Sequence, residues 1–216
     1  MSGAPLALAV LISGRGSNMA AIARACAAGE IQARIARVIA DRADAAGLAL
    51  ARKLGLEASV VPSGGRADRG AFEAALRSTI DASGARLLVL AGFMRVLSPE
   101  FTAHYAGAML NIHPSLLPKY PGLHTHARVL AAGDLEHGAT VHFVTDELDA
   151  GPIVLQARVP VRAGDSIASL SARVQEQEHI IYPRVIGWIA AGRLRWAGSA
   201  LLLDGRPLQA APHEEA

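Results

Sequence analysis

Asn111 and His113 are separated by one apolar residue in the segment Met109-Leu110-Asn111-Ile112-His113. In a strand, residues i and i+2 point to the same face. An amide and an imidazole would then project together while Ile112 turns the other way. The amide N–H groups can donate to a developing oxyanion, and an imidazole can take and give protons near neutral pH. A pair of polar residues satisfied within a loop is the plain alternative. Three acids, Asp146, Glu147 and Asp149, precede Gly151-Pro152. A carboxylate beside His113 would fix its tautomer and favour its protonated form. The spacing does not choose which acid that is, and an ordinary solvated turn accounts for Asp146 and Glu147.

A second chemistry is anion binding. Ser13-Gly14-Arg15-Gly16-Ser17-Asn18 follows an apolar run and precedes a helical pattern. Glycines let the backbone approach an anion, and the first-turn N–H groups with the helix dipole can hold it. The loop is not a full GxGxxG, since position 19 is Met, and it lacks the Gly-Lys-Ser/Thr of a nucleoside-triphosphate loop. A tight turn between strand and helix is the competing reading. The loop Gly92-Phe93-Met94-Arg95-Val96-Leu97 mixes flexible, apolar and basic groups that can cradle a flat heteroaromatic ring; a helix entry with one exposed Arg explains it equally well. Six of the eight histidines fall between His104 and His142, but no HExxH or paired-carboxylate pattern accompanies them, so a metal is not expected.

The elements that must position these groups alternate between strand and helix. Leu6–Ser13 reads as a strand covered on both faces. Asn18–Ala28 then reads as helix, Ile35–Ala40 as strand and Ala45–Leu54 as helix. Ser59–Val61 is a short strand, Asp68 a candidate cap for a helix to Ala82, and Leu87–Leu90 a fourth strand. Ser98-Pro99 opens a short helix, and Ala108–Ile112 is a fifth strand. The alternation predicts an α/β fold, a mostly parallel Rossmann-like sheet with helices on both faces, and ligands at the carboxyl ends of the strands. The last third differs. Ala139–Val144 and Ile153–Val159 are joined too tightly for a helical crossover, which predicts an antiparallel hairpin. Ser166 starts a helix to about Ile189, small strands follow Gly192, and the tail past Pro207 is expected to be loose.

Composition narrows the class. The 216 residues are 51% hydrophobic and 19% charged, which is a folding composition. The net charge is only +2, and no Lys/Arg run offers a nucleic-acid stripe. Two lysines, Lys53 and Lys119, are the only candidates for Schiff-base chemistry. One cysteine, Cys26, excludes an intramolecular disulfide and a thiolate zinc cluster and fits a reducing cytoplasm. The early apolar run Leu6–Ile12 is far short of the roughly 20 residues that span a bilayer, so no membrane association is expected.

Four segments together resemble the phosphoribosylglycinamide (glycinamide ribonucleotide) formyltransferases, folate-dependent members of the formyltransferase superfamily. They are Ile12–Asn18, Ala91–Ser98, Asn111-Ile112-His113-Pro114-Ser115-Leu116-Leu117-Pro118 and His142–Pro152. The likeness runs from about Leu6 to Arg193. It implies a single formyltransferase domain over 1–216, with a phosphate-binding half over 1–110, a catalytic and folate-binding half over 111–195, and a loose tail over 208–216. It further implies transfer of a formyl group from 10-formyltetrahydrofolate to the amine of 5-phosphoribosylglycinamide, in purine synthesis, without a metal.

The residues that the resemblance makes catalytic are Asn111, His113 and Asp149. Gly16, Ser17, Asn18 and Glu178 match its ribonucleotide contacts. Arg69, Met94, Arg95, Val96, Leu97, Asn111, Val144 and Asp149 match its folate contacts, with Arg66 an alternative to Arg69. The implied partners are the two small molecules, with no nucleic acid and no membrane, and a monomer or homodimer in the cytoplasm. Methionyl-tRNA formyltransferase would carry a further tRNA-binding domain, and formyltetrahydrofolate hydrolase an extra domain before the catalytic one. A non-catalytic nucleotide-binding module is the remote alternative.

Overall fold

The computed structural model describes residues 3–63, 68–197, 200–208 and 213–215. The chain gathers into two compact units, Met1–Leu110 and Asn111–Ala216.

In the first unit, four parallel strands stand in the order β3-β2-β1-β4: β1 (Leu6–Ile12), β2 (Ala33–Ala40), β3 (Ala58–Val60) and β4 (Leu87–Leu90). Every residue of β1 and β4 is buried. That is why both read as unbroken apolar runs rather than alternating ones. Helices α1 (Ser17–Ala27), α2 (Ala46–Lys53), α3 (Arg69–Ser83) and α4 (Pro99–His104) connect and follow them. Ser98 caps α4 through its side chain, which accepts from the Phe101 N–H, with Pro99 in the first turn. Asp68 precedes α3, but its side chain makes no capping bond, contrary to the sequence reading. Because β1, β2 and β4 are parallel, the segments after Ile12, Ala40 and Leu90 emerge at one edge of this unit.

β5 (Met109–His113) carries the chain into the second unit, where the order is β5-β6-β7-β11. The expected hairpin is present: β6 (Glu136–Phe143) pairs antiparallel with β7 (Ile153–Pro160), and the register shifts between Val141 and His142. Helix α6 (Ile167–Ala190) packs on β6 and β7 and begins with a Ser166/Ser169 capping box. Helix α5 (Thr125–Ala132) has no counterpart in the sequence reading. It is short, and its His-rich entry hides the apolar spacing. The weak strands after Gly192 form a separate antiparallel sheet, β10-β9-β8, from β8 (Leu194–Ala197), β9 (Ala200–Leu203) and β10 (Arg206–Pro207). Within the stretch expected to be loose, β11 (His213–Glu215) pairs in parallel with β7.

Candidate active site

β5 ends with His113 buried and Asn111 half-buried two residues earlier. Asn111 Nδ2 lies 3.1 Å from His142 Nε2, and His142 Nδ1 lies 2.9 Å from the Phe143 carbonyl. One assignment satisfies both contacts. The carbonyl only accepts, so Nδ1 carries the ring proton; Nε2 then accepts from the amide of Asn111. Burial pushes the His142 pKa down and keeps the ring neutral in this role. The second amide hydrogen of Asn111 is left to donate to a bound oxygen. His142 sits where the β6–β7 register shifts, and such irregularities re-aim side chains.

Asp149 is the acid that reaches His113. Its Oδ2 lies 3.4 Å from His113 Nδ1 and accepts the Gly122 N–H at 2.8 Å, while Oδ1 is 3.9 Å from His142 Nε2. The Asp149 side chain is 8% exposed, so this carboxylate is shielded from water. Its backbone is left-handed, φ 53°, a conformation that short polar side chains tolerate better than most. Gly151 fixes the path: a Cβ there would lie 1.8 Å from the Phe143 carbonyl oxygen. The other nitrogen of His113, Nε2, is 2.9 Å from the Tyr120 carbonyl. Both ring nitrogens thus face oxygen atoms.

A buried polar network holds the segment after His113. Thr140 Oγ1 donates to the Ser115 carbonyl (2.6 Å) and accepts from the Leu117 N–H (3.1 Å). Gln156 Nε2 donates to the Leu117 carbonyl at 2.8 Å. Ser115 Oγ donates to the Lys119 carbonyl at 2.7 Å. Satisfied buried networks of this kind fix a single geometry. Nearby, His126 Nδ1 and His137 Nε2 lie 3.0 Å apart. Burial pushes His137 down to about 4 and lowers His126 as well.

In the first unit, the glycine loop turns into α1 with Gly16 at φ 75° as its N-cap. A Cβ on Gly16 would meet Gly47 Cα at 3.0 Å, so a side chain is excluded by conformation and space together. Asn18 is buried in the first turn of α1, beside Ser17. The loop 92–98 has Phe93 and Leu97 buried and Met94 and Val96 each 67% exposed. It is fastened at several points. The Ser13 N–H donates to the Gly92 carbonyl (3.1 Å), and the Met94 N–H donates to Ser13 Oγ (2.9 Å). Arg95 Nε donates to buried Asp41 Oδ2 at 2.7 Å. Arg69 donates through Nη2 to the Val96 carbonyl (3.0 Å) and through Nε to Glu73 Oε1 (3.2 Å).

The structure therefore brings Asn111, His113 and Asp149 together, and separately joins Arg69 to the loop of Met94, Arg95, Val96 and Leu97. Val144 follows β6, half-buried, and Glu178 is buried on α6. Arg66 and Gly198 lie outside the described residues. Sequence reasoning missed His142, Asp41 and Glu73. His142 entered the sequence reading only as one of the clustered histidines and as the first residue of the segment His142–Pro152. Among the described residues no group of three or more His, Cys, Asp or Glu could hold a metal.

Residues 6–186 match the formyl transferase family. The chain is 54% identical to the phosphoribosylglycinamide formyltransferase of Escherichia coli strain K12, over 93% of this chain and 95% of that one. The solved phosphoribosylglycinamide formyltransferase of Coxiella burnetii superposes with a TM-score of 0.92 at 48% identity, covering 97% of this chain and 100% of the other. A formyltetrahydrofolate deformylase from Burkholderia mallei is more distant: TM-score 0.84 at 29% identity, covering 93% of this chain and 70% of that one. The chain belongs to the formyl transferase family and stands within it beside the phosphoribosylglycinamide formyltransferases.

Proposed function

We propose that the protein transfers the formyl group of 10-formyltetrahydrofolate to the amine of 5-phosphoribosylglycinamide, giving the formylated ribonucleotide and tetrahydrofolate in purine synthesis. The observation that carries this reading is the meeting of an amide, an imidazole and a carboxylate at the end of β5, in a chain 54% identical to an enzyme of that name. In this reading the neutral amine attacks the formyl carbon. The free amide hydrogen of Asn111 and a proton on His113 stabilise the tetrahedral oxyanion. Asp149 orients the imidazole and supports its charge. A proton then passes from the attacking nitrogen to the departing folate nitrogen. For His113 to reach the substrate, its Nε2 must exchange the Tyr120 carbonyl for the substrate oxygen.

Gly16, Ser17 and Asn18 would receive the phosphate and Glu178 the ribose hydroxyls. Arg69 with the loop Met94, Arg95, Val96 and Leu97 would receive the folate, together with Asn111, the backbone of Val144 and Asp149. These two small molecules are the expected partners, and the cytoplasm the expected compartment. No helix among the described residues is long and apolar enough to cross a membrane.

The test is deformylation of 10-formyltetrahydrofolate with and without the ribonucleotide. Turnover only in its presence is the expected result. Release of formate without it would replace transfer by hydrolysis, the reading that the likeness to the deformylase favours. A folded sample inactive in both mixtures would remove both.

A further inference from the structure

The fastenings of the loop 92–98 are not equivalent. Ser13 and Asp41 hold its first half through Met94 and Arg95. The second half depends on one carboxylate. Glu73, on α3, is 8% exposed. Its Oε1 accepts the Ser98 N–H at 2.7 Å and Arg69 Nε at 3.2 Å, and its Oε2 accepts the Ser98 hydroxyl. Arg69, placed by that bond one helical turn before Glu73, donates in turn to the Val96 carbonyl. Ser98 is also the cap of α4. Loss of the Glu73 side chain would release Ser98 directly and Val96 through Arg69, whereas the side chains of Ser13 and Asp41 each hold one point.

We propose that Glu73 is a positioning residue for the folate co-substrate, setting the shape of the 94–98 loop through Ser98 and Arg69 without touching the ligand. This rests on the reading that residues 94–97 receive the folate. Met94 and Val96 are the exposed apolar side chains of that loop, so their placement bears on the ring they would meet. A carboxylate that accepts three donors is hard to replace. An apolar residue offers no acceptor, and an amide must turn a donor toward the Ser98 hydroxyl.

The experiment compares wild type, Glu73→Leu and Glu73→Gln by steady-state kinetics in both substrates, with rates referred to folded protein. Glu73→Leu should raise KM for 10-formyltetrahydrofolate about tenfold, the size expected for lost charge-assisted bonds. Glu73→Gln should fall between it and wild type. KM for the ribonucleotide and kcat at saturating folate should stay within about twofold, since the binding lost is not specific to the transition state. If Glu73→Leu does not fold, the same split is sought in Glu73→Gln and in Ser98→Ala. An unchanged folate KM, or equal rises in both KM values, overturns the proposal, whatever happens to the melting temperature. A wild-type enzyme that does not turn over 10-formyltetrahydrofolate overturns instead the reading beneath it.

Discussion

Replacement of Asp149 by Asn isolates the charge of the carboxylate. Asn keeps the shape and can turn its oxygen to the Gly122 N–H, preserving the 2.8 Å bond that anchors the side chain. Its nitrogen would then lie toward His142 Nε2, an acceptor. Only the carboxylate charge facing His113 Nδ1, at 3.4 Å, has no substitute. A charge-assisted contact in a site this shielded is worth about 1.5–3 kcal/mol. If it is gained as the imidazole charges in the transition state, kcat/KM should fall by about ten- to a hundredfold. Stability should change by less than about 1 kcal/mol, a shift of about 2–4 °C for a chain of this size. Initial rates of formyl transfer and calorimetric melts on the same sample check both halves. A variant that melts more than about 10 °C lower while keeping its rate per folded molecule would refute the reasoning and make Asp149 a structural residue.

Three further predictions concern neighbouring features. His142→Leu removes the acceptor that orients the Asn111 amide, so kcat should fall by about tenfold with substrate KM values nearly unchanged; wild-type kcat would dismiss the orienting role. Burial, with His126 and His113 opposing its charge and Asp134 favouring it, pushes His137 down to about 4 in the folded chain, against an ordinary 6.5. The unfolded chain takes up this proton first as pH falls. The fold therefore loses stability from about pH 6.5 down to about 4, by roughly 3 kcal/mol; His137→Asn should flatten that part of the melting-temperature profile, and an unchanged slope would contradict it. Gly16→Ala forces a side chain onto a φ of 75° against Gly47, which should lower stability by about 1–2 kcal/mol and raise KM for the ribonucleotide more than for the folate. Equal effects on both would count against a phosphate role for the loop.

Much of this was legible in the sequence because burial in a parallel sheet writes itself as unbroken apolar runs. Leu87–Leu90 ends where the sequence placed it. The short Thr145–Pro152 connection required an antiparallel hairpin, and β6 and β7 form one. The adjacency of Asn111 and His113 followed from strand geometry alone. Other features depend on tertiary placement. Which acid meets His113 is decided by the backbone at Asp149 and the close pass of Gly151 beside Phe143. His142 acquires its contact from a register shift, which no periodicity encodes. Arg95 and Asp41 are 54 positions apart, and Glu73 reads as an ordinary helix acid until Ser98 is folded against it. Helix α5 hid behind its histidines.

The connection from Thr145 to Pro152 has an uneven tolerance for change. Asp146, Glu147 and Leu148 are exposed, and their side chains carry none of the contacts that hold Asp149. From Asp149 onward the path is pinned by a left-handed residue, a glycine against a carbonyl, and the Phe143–Pro152 backbone bond at 3.0 Å. Side chains before Asp149 should therefore tolerate replacement without disturbing that path, and those from Asp149 to Gly151 should not. The same boundary is where an engineer can substitute freely on one side and has almost no latitude on the other.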